Sequence, residues 1–123
     1  AKEDQISAHN AGNIKAKLIV EGANGPTSAD ADQILRDKQI MVIPDILANS
    51  GGVIVSYFEW VQDRIGYFWE EDDVNNRLNR MMREAFENVY STALKYDTTL
   101  RLGAYVYAIE KVAEVLKLRG IYG

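Results

Sequence analysis

Two short apolar runs constrain this chain more than anything else in it. They are Leu18-Ile19-Val20, closed by Glu21-Gly22, and Ile40-Met41-Val42-Ile43, stopped by Pro44-Asp45. Runs of this length bounded by Gly or Pro read as buried strands. Between them Gly22, Gly25 and Pro26 make a turn, and Thr27 or Ser28 is a suitable N-cap. Asp30 and Asp32 then fall in a first turn, where the helix dipole favours anions. Ala31, Ile34 and Leu35 recur at i, i+3 and i+4, so the spacing predicts a helix to about Lys38. Strand, helix and strand joined by short loops imply a parallel pair with a right-handed crossover. The fold class is α/β.

Local signals conflict over residues 46–65. Gly51-Gly52 is a poor helix interior, and Val53-Ile54-Val55 with Tyr57-Phe58 has strand propensity. Yet Val53, Tyr57, Trp60 and Val61 make one helical stripe, which Asn49 could cap. Beyond this, Val74, Leu78, Met81, Met82, Ala85, Val89 and Ala93 keep helical spacing across Asp72 to Lys95. Asp97, Thr98 and Thr99 interrupt and can cap the next helix. There Leu102, Tyr105, Val106, Ile109, Val112, Ala113 and Leu116 form a second long stripe, ended by Gly120. The Met81-Met82 pair and Tyr105 with Tyr107 read as core and helix–helix packing.

The chain has 123 residues, enough for one domain with its own core. A net charge of −4 without any basic run argues against a nucleic acid or an anionic membrane surface as partner. The absence of cysteine excludes disulfides and thiolate catalysis, and it fits a reducing, cytoplasmic setting. No apolar stretch is long enough for a transmembrane helix. The polar opening Ala1 to Asn10 lacks the apolar core of a signal peptide. It also starts without Met, which a fragment or a processed chain would explain.

The segment Glu21-Gly22-Ala23-Asn24-Gly25-Pro26-Thr27 follows a strand and precedes a helix, the place where α/β sheets bind ligands. Glycine lets a ligand approach the backbone, and free N–H groups at the helix start suit an anion. A plain βα turn uses the same residues, and that reading stays open. The dinucleotide fingerprint G-x-G-x-x-G is absent. Asn49-Ser50-Gly51-Gly52 would lie on the same sheet edge, so Asn24 and Asn49 could together fix a carboxamide or a ribose. Equally, Asn49 could serve only as a helix cap. Ser56, set among large apolar groups, either bonds the helix backbone or faces a ligand. His9 is the only histidine, so histidine-based metal sites and a Ser-His-Asp arrangement are improbable, and a solvated role is its default. Glu70 to Asp73 read as an acidic helix start rather than a cation site.

Three blocks, in order and correctly spaced, resemble the glutamate dehydrogenases of the Glu/Leu/Phe/Val dehydrogenase family. They are Lys15 to Thr27, Val42 to Val53, and Val55 to Trp60. The resemblance implies the C-terminal part of a Rossmann-type, doubly wound coenzyme-binding domain followed by long helices. Residues 1–45 would be its strand-helix-strand unit. Residues 46–123 would be a helical segment reaching back to a substrate domain, with a helix from Ser50 to about Asp63 despite the β-branched run. It implies reversible oxidative deamination of L-glutamate to 2-oxoglutarate and ammonium with NAD or NADP, in a homo-oligomer that is a hexamer across the family. Asn24 and Asn49 resemble the asparagines lining the nicotinamide end of the coenzyme site. Val53 and Ser56 resemble the residues contacting the glutamate side chain, Ser56 donating to its distal carboxylate. The family's catalytic Lys and Asp and its Gly-rich phosphate loop have no counterpart in these 123 residues, so the chain alone is expected to be inactive. Sister dehydrogenases for apolar amino acids lack these forms of the first and third blocks. A non-catalytic α/β-helical interaction module is the alternative of a different class.

Overall fold

In a computed structural model, which describes residues 2–120, a small parallel sheet carries helices on both faces. The order is α1 (Ala8–Ala11), β1 (Leu18–Val20), α2 (Ala29–Asp37), β2 (Met41–Ile43), α3 (Asp45–Ala48), α4 (Ser50–Ile65), α5 (Glu71–Lys95) and α6 (Leu100–Arg119). The described chain is thus a mostly helical α/β structure. None of its helices is long and apolar enough to cross a membrane.

The strand pair is parallel, with Leu18 opposite Met41, Ile19 opposite Val42 and Val20 opposite Ile43. Side chains alternate between faces along a strand. Ile19 and Val42 therefore share one face, where they pack on Ala11, Ala31, Leu35 and Ile40 beneath α1 and α2. Ser28 is the residue that caps α2, its Oγ accepting from the Ala31 N–H at 3.4 Å. On the other face Ile43 joins a second core of Leu47, Val89, Ala93, Leu100 and Ala104, built by α3, α5 and α6.

The expectation of buried strands is only half met, because Leu18, Val20 and Met41 are exposed. A parallel strand is buried only when both faces are covered. Here the C-terminal helices reach just the end of β2 on the second face.

α4 is helical through the β-branched run, from Ser50 to Ile65. Its packing face corrects the stripe read from sequence: Val53, Tyr57 and Trp60 are exposed, whereas Phe58 and Gln62 are buried. Apolar residues lie on two faces of this helix, so periodicity could not choose between them. Gln62 anchors the buried side. Its Nε2 donates to the Phe58 carbonyl, and its Oε1 accepts the Trp69 N–H at 2.6 Å. Gly66, at φ 67°, closes the helix in the left-handed region where a side chain would be strained.

α5 opens on Glu71, Asp72 and Asp73 and presents Leu78, Met82, Ala85, Val89 and Ala93 inward, as its spacing indicated, with Met81 left exposed. Most of the stripe expected for α6 does not pack within the described chain, only Val106 and Ala113 being half-buried. Leu102, Tyr105, Ile109, Val112 and Leu116 are exposed, and contact with α5 runs instead through Leu100, Gly103, Ala104 and Tyr107. The reason is the closeness of the crossing. A Cβ on Gly103 would lie 2.9 Å from the Ala93 Cβ, 3.0 Å from the Ala93 nitrogen and 3.0 Å from the Val89 carbonyl oxygen. Only small residues permit that approach, and a hydropathy pattern passes over them. Thr99 caps α6, its Oγ1 accepting from the Leu102 N–H at 3.2 Å.

Candidate functional site

Because β1 and β2 run parallel, the loops that leave their C-terminal ends share one sheet edge, and both candidate asparagines sit there. Asn49 Nδ2 donates to Asn24 Oδ1 at 2.6 Å. Asn49 occupies the N-cap position of α4, but its side chain makes no capping bond and turns to Asn24 instead. An amide has two donors and one acceptor. Their mutual bond therefore leaves Asn24 Nδ2 as donor and Asn49 Oδ1 as acceptor, the complement of a primary carboxamide. Asn24 is exposed and Asn49 half-buried, so these groups can meet a ligand.

Val53 and Ser56 follow on α4, one helical turn apart, and both are exposed, Val53 at 75 %. At the start of the same helix, Ser50 does bond backbone, its Oγ donating to the Leu47 carbonyl at 2.8 Å. His9 lies exposed on α1.

Behind the asparagines is a charge cluster that the sequence pattern did not reveal. Arg101, in the first turn of α6, bonds three carboxylates from three other places in the chain. Its Nη2 donates to Glu21 Oε1 at 2.6 Å, its Nε to Asp32 Oδ2 at 2.5 Å, and its Nη1 to Asp45 Oδ1 at 3.2 Å. The Glu21 side chain is wholly removed from solvent and that of Arg101 is 18 % exposed. The second oxygens are also used: Glu21 Oε2 accepts the Asp45 N–H and Asp45 Oδ2 accepts the Gly25 N–H, both at 2.8 Å. Burial pushes the Asp45 carboxyl up, but the Gly25 and Ile46 N–H groups and Arg101 outweigh it and hold the pKa below the ordinary value. Burial acts to lower the Arg101 pKa, and the bonds to Glu21 and Asp32 raise it further than that, so the guanidinium stays charged. The available signal was Arg101 itself, a charge set between Leu100 and the buried Gly103 and Ala104.

A concavity of about 360 Å³ lies apart from the asparagines, between α2, β2 and the α5–α6 turn. Among the described residues no group of three or more His, Asp or Glu is set to hold a metal. The three acids that do converge are engaged by Arg101.

This arrangement can be compared with known proteins. The Glutamate/Leucine/Phenylalanine/Valine dehydrogenase family model matches residues 1–120. The chain belongs to that family. The glutamate dehydrogenase of Thermotoga maritima is 55 % identical over 99 % of this chain, and a catabolic NAD-specific glutamate dehydrogenase of Bacillus subtilis is 48 % identical over 98 %. The crystal structure of a glutamate dehydrogenase from Peptoniphilus asaccharolyticus superposes with a TM-score of 0.94 at 45 % identity, covering 99 % of this chain and 31 % of that one. The chain spans 28 to 29 % of the length of these two curated relatives. The resemblance carried by the three blocks is thus borne out at the level of the family.

Proposed function

We propose that this chain is the C-terminal part of a Rossmann-type coenzyme domain in an NAD-dependent glutamate dehydrogenase, where it forms the wall facing nicotinamide and glutamate. The observation that carries the reading is the Asn24–Asn49 bond at the shared strand edge. It leaves Asn24 Nδ2 free to donate and Asn49 Oδ1 free to accept, and a nicotinamide carboxamide can use both. Helices on both sheet faces support the doubly wound architecture, and the NAD-specific relatives support the coenzyme. A nicotinamide bound there would supply the hydride acceptor for oxidising L-glutamate to 2-oxoglutarate and ammonium.

The chain's own part is to orient. Asn24 and Asn49 hold the carboxamide so that one ring face is presented. Ser56 donates to the distal carboxylate of glutamate while Val53 packs beside its methylenes. The lysine that polarises the reacting carbon and the aspartate that moves protons belong to segments other than these 123 residues. Cytoplasmic location and hexameric assembly go with this reading.

Ser56→Ala in the full-length dehydrogenase tests it. A hydrogen bond to a charged group contributes about 1.5–3 kcal/mol, so the KM for glutamate should rise roughly 10- to 100-fold with the coenzyme KM unchanged. An unaltered glutamate KM would sink the assignment. A preference for apolar amino acids in the parent enzyme would point to a sister dehydrogenase instead.

A further inference from the structure

We infer that Arg101 is a positioning residue for the Asn24–Asn49 pair, acting at a distance through Asp45; this rests on the reading of the pair as the carboxamide site. Asp45 is the point where both asparagines are anchored. Its Oδ2 accepts the N–H of Gly25, the residue next to Asn24, at 2.8 Å. Its backbone carbonyl accepts the N–H of Asn49 at 3.0 Å. Whatever orients Asp45 therefore sets the separation of the two amides. Three contacts orient it: Arg101 Nη1 and the Ile46 N–H on Oδ1, and buried Glu21 on its N–H. Arg101 also bonds Glu21 directly, so one guanidinium governs both.

The loop that carries Asn24 needs such external restraint. Gly25 sits at φ 56°, and the loop's remaining backbone ties run to the N-terminal segment, through Asp4 N–H to the Gly25 carbonyl and Ile6 N–H to the Pro26 carbonyl. Within the cluster three carboxylates face one cation. Without the fork of donors, Glu21, Asp32 and Asp45 repel one another in a partly buried site, and they separate. Asp45 then turns, and the Gly25 side of the pair moves relative to Asn49. Arg101 makes no hydrogen bond to either asparagine. Its effect is geometric, and lysine cannot reproduce it because an ammonium has no planar fork to bridge three acids.

The test uses the full-length dehydrogenase carrying Arg101→Lys, which keeps the charge and so protects folding, beside Asn24→Ala. Binding of NADH and of ADP-ribose, which lacks the nicotinamide, is titrated for each. Loss of one well-placed amide contact corresponds to about a 3- to 10-fold weakening. Arg101→Lys and Asn24→Ala should each weaken NADH by about that factor and leave ADP-ribose affinity unchanged. The double variant should be no worse than the weaker-binding single one, since both act through the same contact. Unchanged NADH affinity in Arg101→Lys, with Asn24→Ala weakened, overturns the positioning role alone. Parallel loss of NADH and ADP-ribose in Arg101→Lys overturns it too, by showing a general structural effect. Unchanged NADH affinity in Asn24→Ala overturns the site reading and the inference with it.

Discussion

Gly103→Ala puts one methyl group into the tightest crossing of the fold. The new Cβ would meet the Ala93 Cβ at 2.9 Å, where about 3.5–4.0 Å is the comfortable separation of two carbons. Two of the three nearest atoms, the Ala93 nitrogen and the Val89 carbonyl oxygen, are backbone and lie at 3.0 Å. Neither can rotate away, so α5 and α6 must part by a large fraction of an ångström. That loosens Leu47, Val89, Leu100 and Ala104, the core on the second sheet face. Overpacking of this kind costs about 1–3 kcal/mol. Alanine returns about 1 kcal/mol as the better helix former. The net expectation is a destabilisation of up to about 2 kcal/mol, read as a lowered urea midpoint at constant slope by circular dichroism. Adding Ala93→Gly removes the shortest contact but keeps both backbone clashes, so it should couple favourably with Gly103→Ala without restoring full stability. A Gly103→Ala protein about 1 kcal/mol more stable than the parent would refute the claim that this crossing needs glycine, because helix propensity would then be the only effect felt.

Two further outcomes follow from the cluster and from the division of the chemistry. Asp45 has a folded-state pKa below its ordinary 3.8, so its ionised form stabilises the fold above that value, and the contribution is lost as pH falls through the lowered one. Asp45→Asn should therefore be less stable than the parent near neutrality, and the gap between them should close on acidification below 3.8; urea midpoints showing a constant gap would contradict this. The 123-residue chain alone, given glutamate and NAD, should produce no NADH absorbance, and measurable turnover would show that the proton chemistry had been placed in the wrong segments.

Much of the element order was legible because strong punctuation brackets it. Gly22, Pro26 and Ser28 open α2, Pro44 stops β2, and Thr99 starts α6, each through a local backbone requirement. Asn24 and Asn49 could be nominated for the same reason, since the C-terminal ends of parallel strands are determined once strand, helix and strand are recognised. The faces of α4 and α6 could not be read. Each helix has more apolar residues than one neighbour can cover, and the choice falls to whichever neighbour is present and how close it comes. For α6 the decision rests on Gly103 and Ala104, which have almost no hydropathy to show.

What the sequence determined by itself was local and periodic: where strands and helices begin, which loops meet at one sheet edge, and the ordered blocks that mark the dehydrogenase family. Tertiary structure alone decided that Asn49 bonds Asn24 instead of capping its own helix, and that Arg101 gathers Glu21, Asp32 and Asp45. Those partners come from separate elements, with Arg101 and Glu21 80 residues apart. No spacing rule spans that distance. The bonds exist because packing the helices on the sheet buries Glu21 fully and the other charges in part, and leaves one another as their partners.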